Sequence, residues 1–236
     1  MSSRTEQLAL IAIATLAICY AGCEAIPLSQ HPLSDETNSE IDPALIGMWD
    51  IIDIEGEHRK QQESAQADKA KEAEAKEAEA QDATGPPRFG IGRLMGKERT
   101  LEFVAMEVGE GDVVQVKRMP IHATKVGKQR CLSMRFNPEV DGSDYILLQY
   151  DVANENRILI HLLNREAIVQ AIQRGELKGV VRKAAAADPN DPNSEQRKES
   201  IRITAPPAEL REFLVKNEKT AFDAKAIWRL QRAEGK

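Results

Sequence analysis

Short runs in which apolar residues alternate with polar or small ones recur along this chain, and they constrain its fold more than any other feature. The alternation is clearest in Arg130 to Phe136, where Leu132, Met134 and Phe136 share one side. Successive side chains of a strand point to opposite faces, so such runs predict strands that bury one face. With richness in β-branched residues as a second guide, they predict about eight strands. These are Leu45–Ile54, Thr100–Val108, Asp112–Met119, Arg130–Phe136, Asp144–Val152, Arg157–Leu163, Ser200–Thr204 and Ala226–Arg232.

The predicted strands follow one another through short links, and two short helices interrupt them only in the second half. Asn164 is placed to cap one helix and Gly175 to end it, while Pro207 opens another that runs to about Asn217. The absence of an alternating βαβ pattern argues against a doubly wound sheet. We therefore predict a mainly β (α+β) protein, an antiparallel meander that curls or closes to protect its edges. The residues expected to face inward from the helices are Ile168, Ala171, Ile172, Leu210, Phe213 and Leu214.

Residues 57–87 differ from the rest because they consist largely of Ala, Lys and Glu and end in Gly85-Pro86-Pro87. Ala and straight-chain charged residues favour helix. The segment has no apolar stripe larger than Ala, so it has nothing to bury. It is predicted to be a charged helical or disordered insertion, either a tolerated surface insertion or a spacer that binds a partner.

The amino terminus has the three parts of a secretory signal, namely a polar start with Arg4, an apolar run from Leu8 to Tyr20, and small residues after it. The run is shorter than the roughly 20 residues that a membrane-spanning helix needs. Its end, Ala21-Gly22-Cys23, resembles the bacterial lipoprotein signal, although Tyr20 stands where that family usually has Leu. The resemblance implies cleavage before Cys23 and lipid on its sulfur and on the new amino terminus. The alternatives are ordinary cleavage, for instance after Ala21 or Ala25, and an uncleaved anchor.

This interpretation divides the chain into a signal peptide (1–22), a flexible tether rich in Ser, Pro and acids (23–43), and a single β-rich domain (44–236). It places the protein in the cell envelope, held by lipid to a bacterial membrane and facing the periplasm or the exterior. Cys19 would leave with the signal and Cys23 would carry lipid, so Cys131 would have no disulfide partner.

A second resemblance begins at Gly47-Met48-Trp49, because lipocalin-like barrels often start their first strand with Gly-x-Trp, the indole plugging one end of the barrel. The predicted last strand offers Trp228 and Arg229, and an Arg in that strand would lie over the first Trp. The chain thus resembles uncharacterised bacterial lipoproteins with a lipocalin-like domain, which implies a barrel or half-barrel. The alternative is Trp49 as an ordinary core residue of another β fold. The motifs that carry the wider resemblance are Pro27-Leu28-Ser29, Pro32-Leu33-Ser34 and Ile46–Trp49.

Candidate catalytic and metal-binding residues are few. Gly90, Gly92, Gly96 and Lys97 lack the spacing of a phosphate-binding loop, so a flexible turn explains them better. The histidines show no metal-ligand spacing, and neither a metal nor another cofactor is predicted. They are His31 in the predicted tether, His58 beside the insertion, His122, and His161, which is expected to be a hydrogen-bonded structural residue or to line a pocket. Cys131 would be a nucleophile only beside a base, and a buried inert thiol is expected instead.

The charge distribution bears on partners. A net charge of −6 and an aromatic content of only 4% argue against nucleic-acid binding. Between 88 and 135, however, bases outnumber acids. They either dock the domain on anionic lipid or polysaccharide, or are scattered on outward strand faces. The bases considered are Lys117, Arg118, Lys125, Lys128, Arg130 and Arg135.

We therefore expect an exported, lipid-anchored, non-enzymatic envelope protein. It would bind a small apolar or amphipathic molecule in the mouth of its barrel. The alternative is a structural or assembly lipoprotein that contacts other envelope proteins, and an enzyme without a recognisable motif is a third, less favoured reading.

Overall fold

The computed structural model describes residues 26–54, 88–93, 99–108, 114–136, 144–183 and 199–233. The predicted signal peptide, Cys23, the predicted insertion (57–87), Gly96 and Lys97 lie outside this part of the chain. Its elements are β1 (Leu28–Ser29), a 3-10 turn (Pro43–Leu45), β2 (Gly47–Asp53), β3 (Arg88–Arg93), β4 (Leu101–Val108), β5 (Val114–Val126), β6 (Gln129–Arg135), β7 (Tyr145–Asn154), β8 (Arg157–Leu162), α1 (Arg165–Gln173), β9 (Gly179–Arg182), β10 (Ser200–Ile203), α2 (Pro207–Lys216) and β11 (Trp228–Arg232).

Eight strands form a closed antiparallel barrel. The order is β6-β5-β4-β3-β2-β11-β8-β7, and the pairing of β6 with β7 closes it, with Leu132 opposite Leu148. Closure removes the exposed edges that an open meander would leave. The prediction of a lipocalin-like meander is therefore confirmed as a closed barrel, and the half-barrel alternative is excluded.

The barrel interior is filled by side chains. Strand alternation sends every second residue inward, as in β7, where Ile146, Leu148 and Tyr150 are buried inside. We call this cluster the barrel core. Its buried members are Leu45, Trp49, Phe89, Ile91, Leu101, Phe103, Met119, Ile121, Ala123, Leu132, Ile146, Leu148, Tyr150, Ile158, Ile160, Leu162 and Leu230.

A second core lies on the outside of the barrel, under the two helices. The outward residues Cys131 and Leu147 of β6 and β7 contribute to it. The predicted inward faces of both helices are confirmed, because Ile168, Ala171, Leu210, Phe213 and Leu214 are buried and Ile172 packs against them. Asn164 caps α1 by accepting from the amide of Ala167, and Gly175, with φ of 72°, follows its end.

Three strands extend the sheet beyond the barrel. β1 pairs antiparallel with the start of β7 at Tyr145 and Ile146 and parallel with β10, and β10 pairs with β9. Neither β1 nor β9 was predicted.

The predicted flexible tether, residues 23–43, is wrong for its described part, because residues 26–43 pack against the barrel. Leu33 is fully buried in the second core. Its amide donates to Ser133 Oγ at 2.9 Å, and Arg211 Nε donates to its carbonyl at 2.7 Å. Ser34 bonds to Thr124, and Glu40 forms a bridge with Ala123. Serine hydroxyls can be buried here because backbone and side-chain partners satisfy them.

The expected turn at Gly90 and Gly92 is also wrong, since both lie in β3, between β2 and β4. Met48 stands opposite Gly90, and a Cβ on Gly90 would lie 3.1 Å from the Met48 sulfur. Glycine therefore leaves room for a cross-strand side chain here.

Candidate functional site

One end of the barrel carries the β5–β6 turn at Gly127–Lys128 and the β7–β8 turn at Glu155–Asn156, and we call it the hairpin end. β2 begins at this end, because Trp49 pairs with Arg232 and Gln231 pairs with Arg157. The 3-10 turn that precedes β2 places Leu45 in the barrel core. The hairpin end is therefore where the amino-terminal segment meets the barrel interior.

Trp49 closes the interior at this end. Its indole nitrogen donates to the Leu45 carbonyl at 2.8 Å, and the guanidinium of Arg232 lies 4.5 Å from the indole centroid. Arg232 also donates to the carbonyls of Glu155 at 2.9 Å and Ile46 at 3.3 Å. A cation over an aromatic face is attracted by the ring quadrupole. Through these contacts the Arg232 side chain joins β11 to β2 and to the β7–β8 turn.

The prediction that Arg229 covers Trp49 is wrong, because Arg232 occupies this position. Arg229 pairs with Ile52 farther along β2, whereas Arg232 is the residue opposite Trp49. Residues three apart in a strand point to opposite faces, so the two arginines cannot exchange roles.

Gly47 is required by the same arrangement. Its φ is +153°, and a Cβ at this position would overlap the Arg232 guanidinium. The Gly-x-Trp motif therefore combines a glycine that admits the arginine with a tryptophan that the arginine covers.

A cleft of about 250 Å³ opens beside this closure, between residues 40–43 and strands β5 to β7. We call it the mouth cleft. Residues that bear on its chemistry are Glu40, Asp42, Lys125, Arg130 and Tyr150.

Asp42 organises the mouth cleft. One carboxylate oxygen accepts the Ala44 amide at 3.0 Å and so caps the 3-10 turn, while the other accepts the Tyr150 hydroxyl at 2.8 Å. Arg130 Nη1 lies 3.7 Å from that second oxygen. Burial, and then the hydrogen bond to Asp42, raises the pKa of Tyr150 above its ordinary value, so the phenol stays protonated and donates.

The rim of the mouth cleft is basic. Lys125 and Arg130 face each other across the β5–β6 ladder, and both are exposed. Lys128 is exposed in the adjoining turn. Three of the predicted docking bases are thus gathered here, at one end of the barrel.

The other predicted bases lie elsewhere. Arg118 pairs with Glu102 at 3.4 Å, and Arg135 lies at the opposite end of β6, where its guanidinium is 5.8 Å from the Tyr145 ring centroid. The Lys117 side chain is outside the described part of the structure. The five of these bases whose side chains the structure describes therefore do not form one continuous surface, and Lys125, Lys128 and Arg130 lie together at the hairpin end.

A second open cleft, of about 370 Å³, lies between α1 and the segment after α2. Its lining mixes charged residues such as Glu166, Arg174 and Lys219 with the ring of Phe213.

His161 and Cys131 lie on the outer face of the barrel rather than in either cleft. His161 is buried, with Nδ1 at 2.9 Å from the Asp223 carbonyl and Nε2 at 3.3 Å from Asp151. The alternative in which it is a hydrogen-bonded structural residue is therefore confirmed. Cys131 is a free thiol, fully buried, and desolvation raises its pKa to about 12, as expected for an inert thiol.

The remaining histidines take no part in either cleft lining. His31 is in the amino-terminal segment, His122 is half-buried on β5, and His58 is outside the described residues. Within the part of the chain that the structure describes, no group of three or more His, Cys, Asp or Glu residues could hold a metal ion. No helix there is both long and apolar enough to cross a membrane.

The strand order and the contact of Arg232 with Trp49 define the class of protein: an eight-stranded antiparallel barrel, consistent with a lipocalin-like barrel. No protein-family model, curated protein or solved structure matches this chain.

Proposed function

We propose that this protein is an exported, lipid-anchored, non-enzymatic envelope protein whose barrel is a rigid scaffold for contacts made on its outside. The observation that carries the proposal is the filled barrel interior, from Leu45 and Trp49 at the hairpin end through to Ile146. Protein interiors are packed as densely as organic crystals. A ligand inside this barrel would therefore have to displace several large side chains.

The filled interior reverses the order of the two functions expected from the sequence. Small-molecule pockets usually enclose about 300–1,000 Å³ and are mostly apolar. The mouth cleft is smaller and has a charged rim, while the apolar side chains that could hold a ligand pack against one another. This supports the function of an assembly or structural lipoprotein over that of a barrel that binds an apolar molecule in its interior.

The lipid anchor is supported by the Ala21-Gly22-Cys23 signal. Ile26, three residues after Cys23, already packs against the barrel core. Several acyl chains on Cys23 would hold the protein to a membrane far better than one.

The proposal that the protein is not an enzyme is supported by the environments of its two strongest candidates. Cys131 faces the second core with a thiol held in its protonated form. His161 binds a backbone carbonyl and an aspartate on the barrel wall, outside both clefts. Neither has a position open to a substrate.

Cross-linking in intact cells followed by native mass spectrometry of the purified protein tests the proposal. We expect lipid mass on Cys23, loss of membrane fractionation in Cys23→Ala, and an envelope protein cross-linked to the barrel surface. A Cys131→Ala protein serves as the matched control and should keep both lipid and partner. A co-purifying apolar small molecule, or a soluble unlipidated protein with no partner, would contradict it.

The mouth cleft supports a second candidate function, capture of the acidic head of a small amphipathic molecule. Lys125 and Arg130 would pair with the carboxylate, and the protonated Tyr150 hydroxyl lies beside them. Octanoate is a suitable probe for isothermal titration. Binding should be lost in Lys125→Ala/Arg130→Ala and kept in Arg118→Ala, and the absence of octanoate binding at low salt would reject this candidate.

A further inference from the structure

The sheet formed by β7, β1, β10 and β9 has one face that continues the interior face of the barrel. Across it, Ile146, Leu28, Arg202 and Val180 stand in one register row, because each is the Cα partner of the next. Register partners project to the same side of a sheet. We call this surface the flared face.

The next row of the flared face extends it toward the chain terminus. Ser200 pairs with Arg182 in this row. Ile26 packs against the barrel core. The described chain therefore begins two residues before Leu28, which lies on this face.

The flared face combines apolar and basic groups. Val180 is 45% exposed, which makes it one of the few large hydrophobic residues exposed in the described part of the structure. Arg182, two residues along β9, projects to the same side as Val180 and is exposed, and Lys183, which follows the end of the strand, is exposed as well. Arg202 is paired with Asp144, whose Oδ1 lies 2.8 Å from Nη2, so Arg182 is the base of this face that has no acidic partner among the described residues.

The length of the chain before Ile26 points to what this face meets. Three residue steps in an extended chain span at most about 11 Å. If Cys23 carries lipid, as proposed above, the acyl chains enter the bilayer within that distance of Ile26. The packed segment 26–43 leaves no longer tether that would let the domain move away.

We infer that the flared face docks on an anionic lipid bilayer, with Val180 at the headgroup boundary and Arg182 and Lys183 against lipid phosphates. Basic residues near an anionic membrane surface gain electrostatic attraction that falls off within a Debye length. The hairpin end, with Lys125, Lys128 and Arg130, then points away from the same membrane. This orientation rests on the proposed lipid anchor.

Fluorescence quenching tests the orientation with the lipidated protein in vesicles that contain brominated phosphatidylglycerol. A probe is attached to Val180→Cys, and a matched control carries it at Asn156→Cys on the hairpin end. Both positions are exposed, and the raised pKa of Cys131 keeps that buried thiol from competing. We expect strong quenching at position 180, weak quenching at 156, and less quenching at 180 as salt is raised.

Charge variants separate docking from simple proximity. Arg182→Glu/Lys183→Glu should reduce quenching at position 180, and Lys125→Glu/Lys128→Glu should leave it unchanged. Removing each base weakens attraction to the surface by about fivefold. Circular dichroism checks that both double variants keep the fold.

The outcomes distinguish this inference from the function on which it rests. Equal quenching at both positions, or stronger quenching at 156, in a protein that still fractionates with membranes and carries lipid would overturn the docking face and leave the lipid anchor standing. A protein with no lipid mass would remove both.

Discussion

The closure formed by Gly47, Trp49 and Arg232 gives the sharpest quantitative prediction. Gly47→Ala places a Cβ where the Arg232 guanidinium lies and does so at a φ of +153°. The backbone conformation alone costs about 1–3 kcal/mol for a non-glycine residue. Displacing the guanidinium also weakens its contact with Trp49, worth about 0.5–2 kcal/mol, and its hydrogen bond to Ile46, worth about 1.5–3 kcal/mol. We expect Gly47→Ala to lower the free energy of unfolding by about 3–5 kcal/mol, since such terms are not fully additive.

A double-mutant cycle isolates the steric part of this cost. Arg232→Ala removes the group that the new Cβ would strike, so in that background Gly47→Ala should cost only the backbone part, about 1–3 kcal/mol. The two substitutions together should therefore destabilise by at least about 1 kcal/mol less than the sum of the single effects. Urea unfolding followed by tryptophan fluorescence and circular dichroism measures all four proteins.

Gly92→Ala is the matched control. Gly92 lies in β3, has no atom within 4 Å of where a Cβ would lie, and needs no unusual φ. A substitution of this kind stabilises by about 0.4–1 kcal/mol by restricting the unfolded chain. If Gly47→Ala and Arg232→Ala proved additive within about 0.5 kcal/mol, the proposed contact between position 47 and the guanidinium would be refuted.

Three further predictions test other parts of the structure. Tyr150→Phe removes the hydroxyl that donates to Asp42 and should cost about 1–2 kcal/mol at pH 8. Because the pKa of Tyr150 is raised in the fold, its stabilising effect is complete below the ordinary value near 10 and is lost as pH rises above it. Urea unfolding at pH 8 and 11 should thus show a smaller alkaline loss in the Phe variant, and an equal loss would count against the burial. The pKa of Cys131, raised to about 12, predicts that iodoacetamide at pH 8 modifies this thiol only as fast as the protein unfolds; rapid labelling of the folded protein would contradict this. Leu33→Ala should lower the free energy of unfolding by about 2–5 kcal/mol, because the side chain is fully buried. His31 is only half-buried, so His31→Ala should lower it by less than about 1 kcal/mol. Equal small effects of the two substitutions would show that residues 26–43 do not stabilise the domain.

The strands that could be predicted are those in which alternation is strong. Leu132 and Met134 in β6, and Leu148 and Tyr150 in β7, repeat with the period of a strand, and the structure places all four in or against the barrel core. β3 escaped prediction because Gly90 and Gly92 interrupt the apolar pattern. At Gly90 the reason is tertiary, since Met48 from the neighbouring strand occupies the space beside it.

The amino-terminal segment could not be predicted because its partners are far away in sequence. The Leu33 carbonyl accepts from Arg211, which is 178 residues later, and the Leu33 amide donates to Ser133. A Ser- and Pro-rich composition normally indicates a solvated linker. Here Ser34 bonds to the Thr124 hydroxyl and Ser39 donates to the Arg99 carbonyl, and only the folded barrel brings these groups to them.

The candidate site shows the same limit. The basic residues between 88 and 135 were visible in the sequence, but the strand register decides which of them meet. The β5–β6 pairing sets Lys125 against Arg130, and the path of residues 40–43 brings Asp42 to Tyr150, 108 residues away. The choice between Arg229 and Arg232 likewise depended on how β11 aligns with β2.

The amino-terminal segment has a structural role that a tether would not have, because it contributes to both cores. Leu33 is buried in the second core, and Leu45 is buried in the barrel core near Trp49. Between them, Asp42 joins the 3-10 turn to Tyr150 and Arg130. The segment thus spans the barrel wall from the outside to the mouth, and its release would expose apolar surface in both cores at once. If Cys23 carries the proposed anchor, the domain is therefore held within three residues of Ile26, which packs against the barrel core.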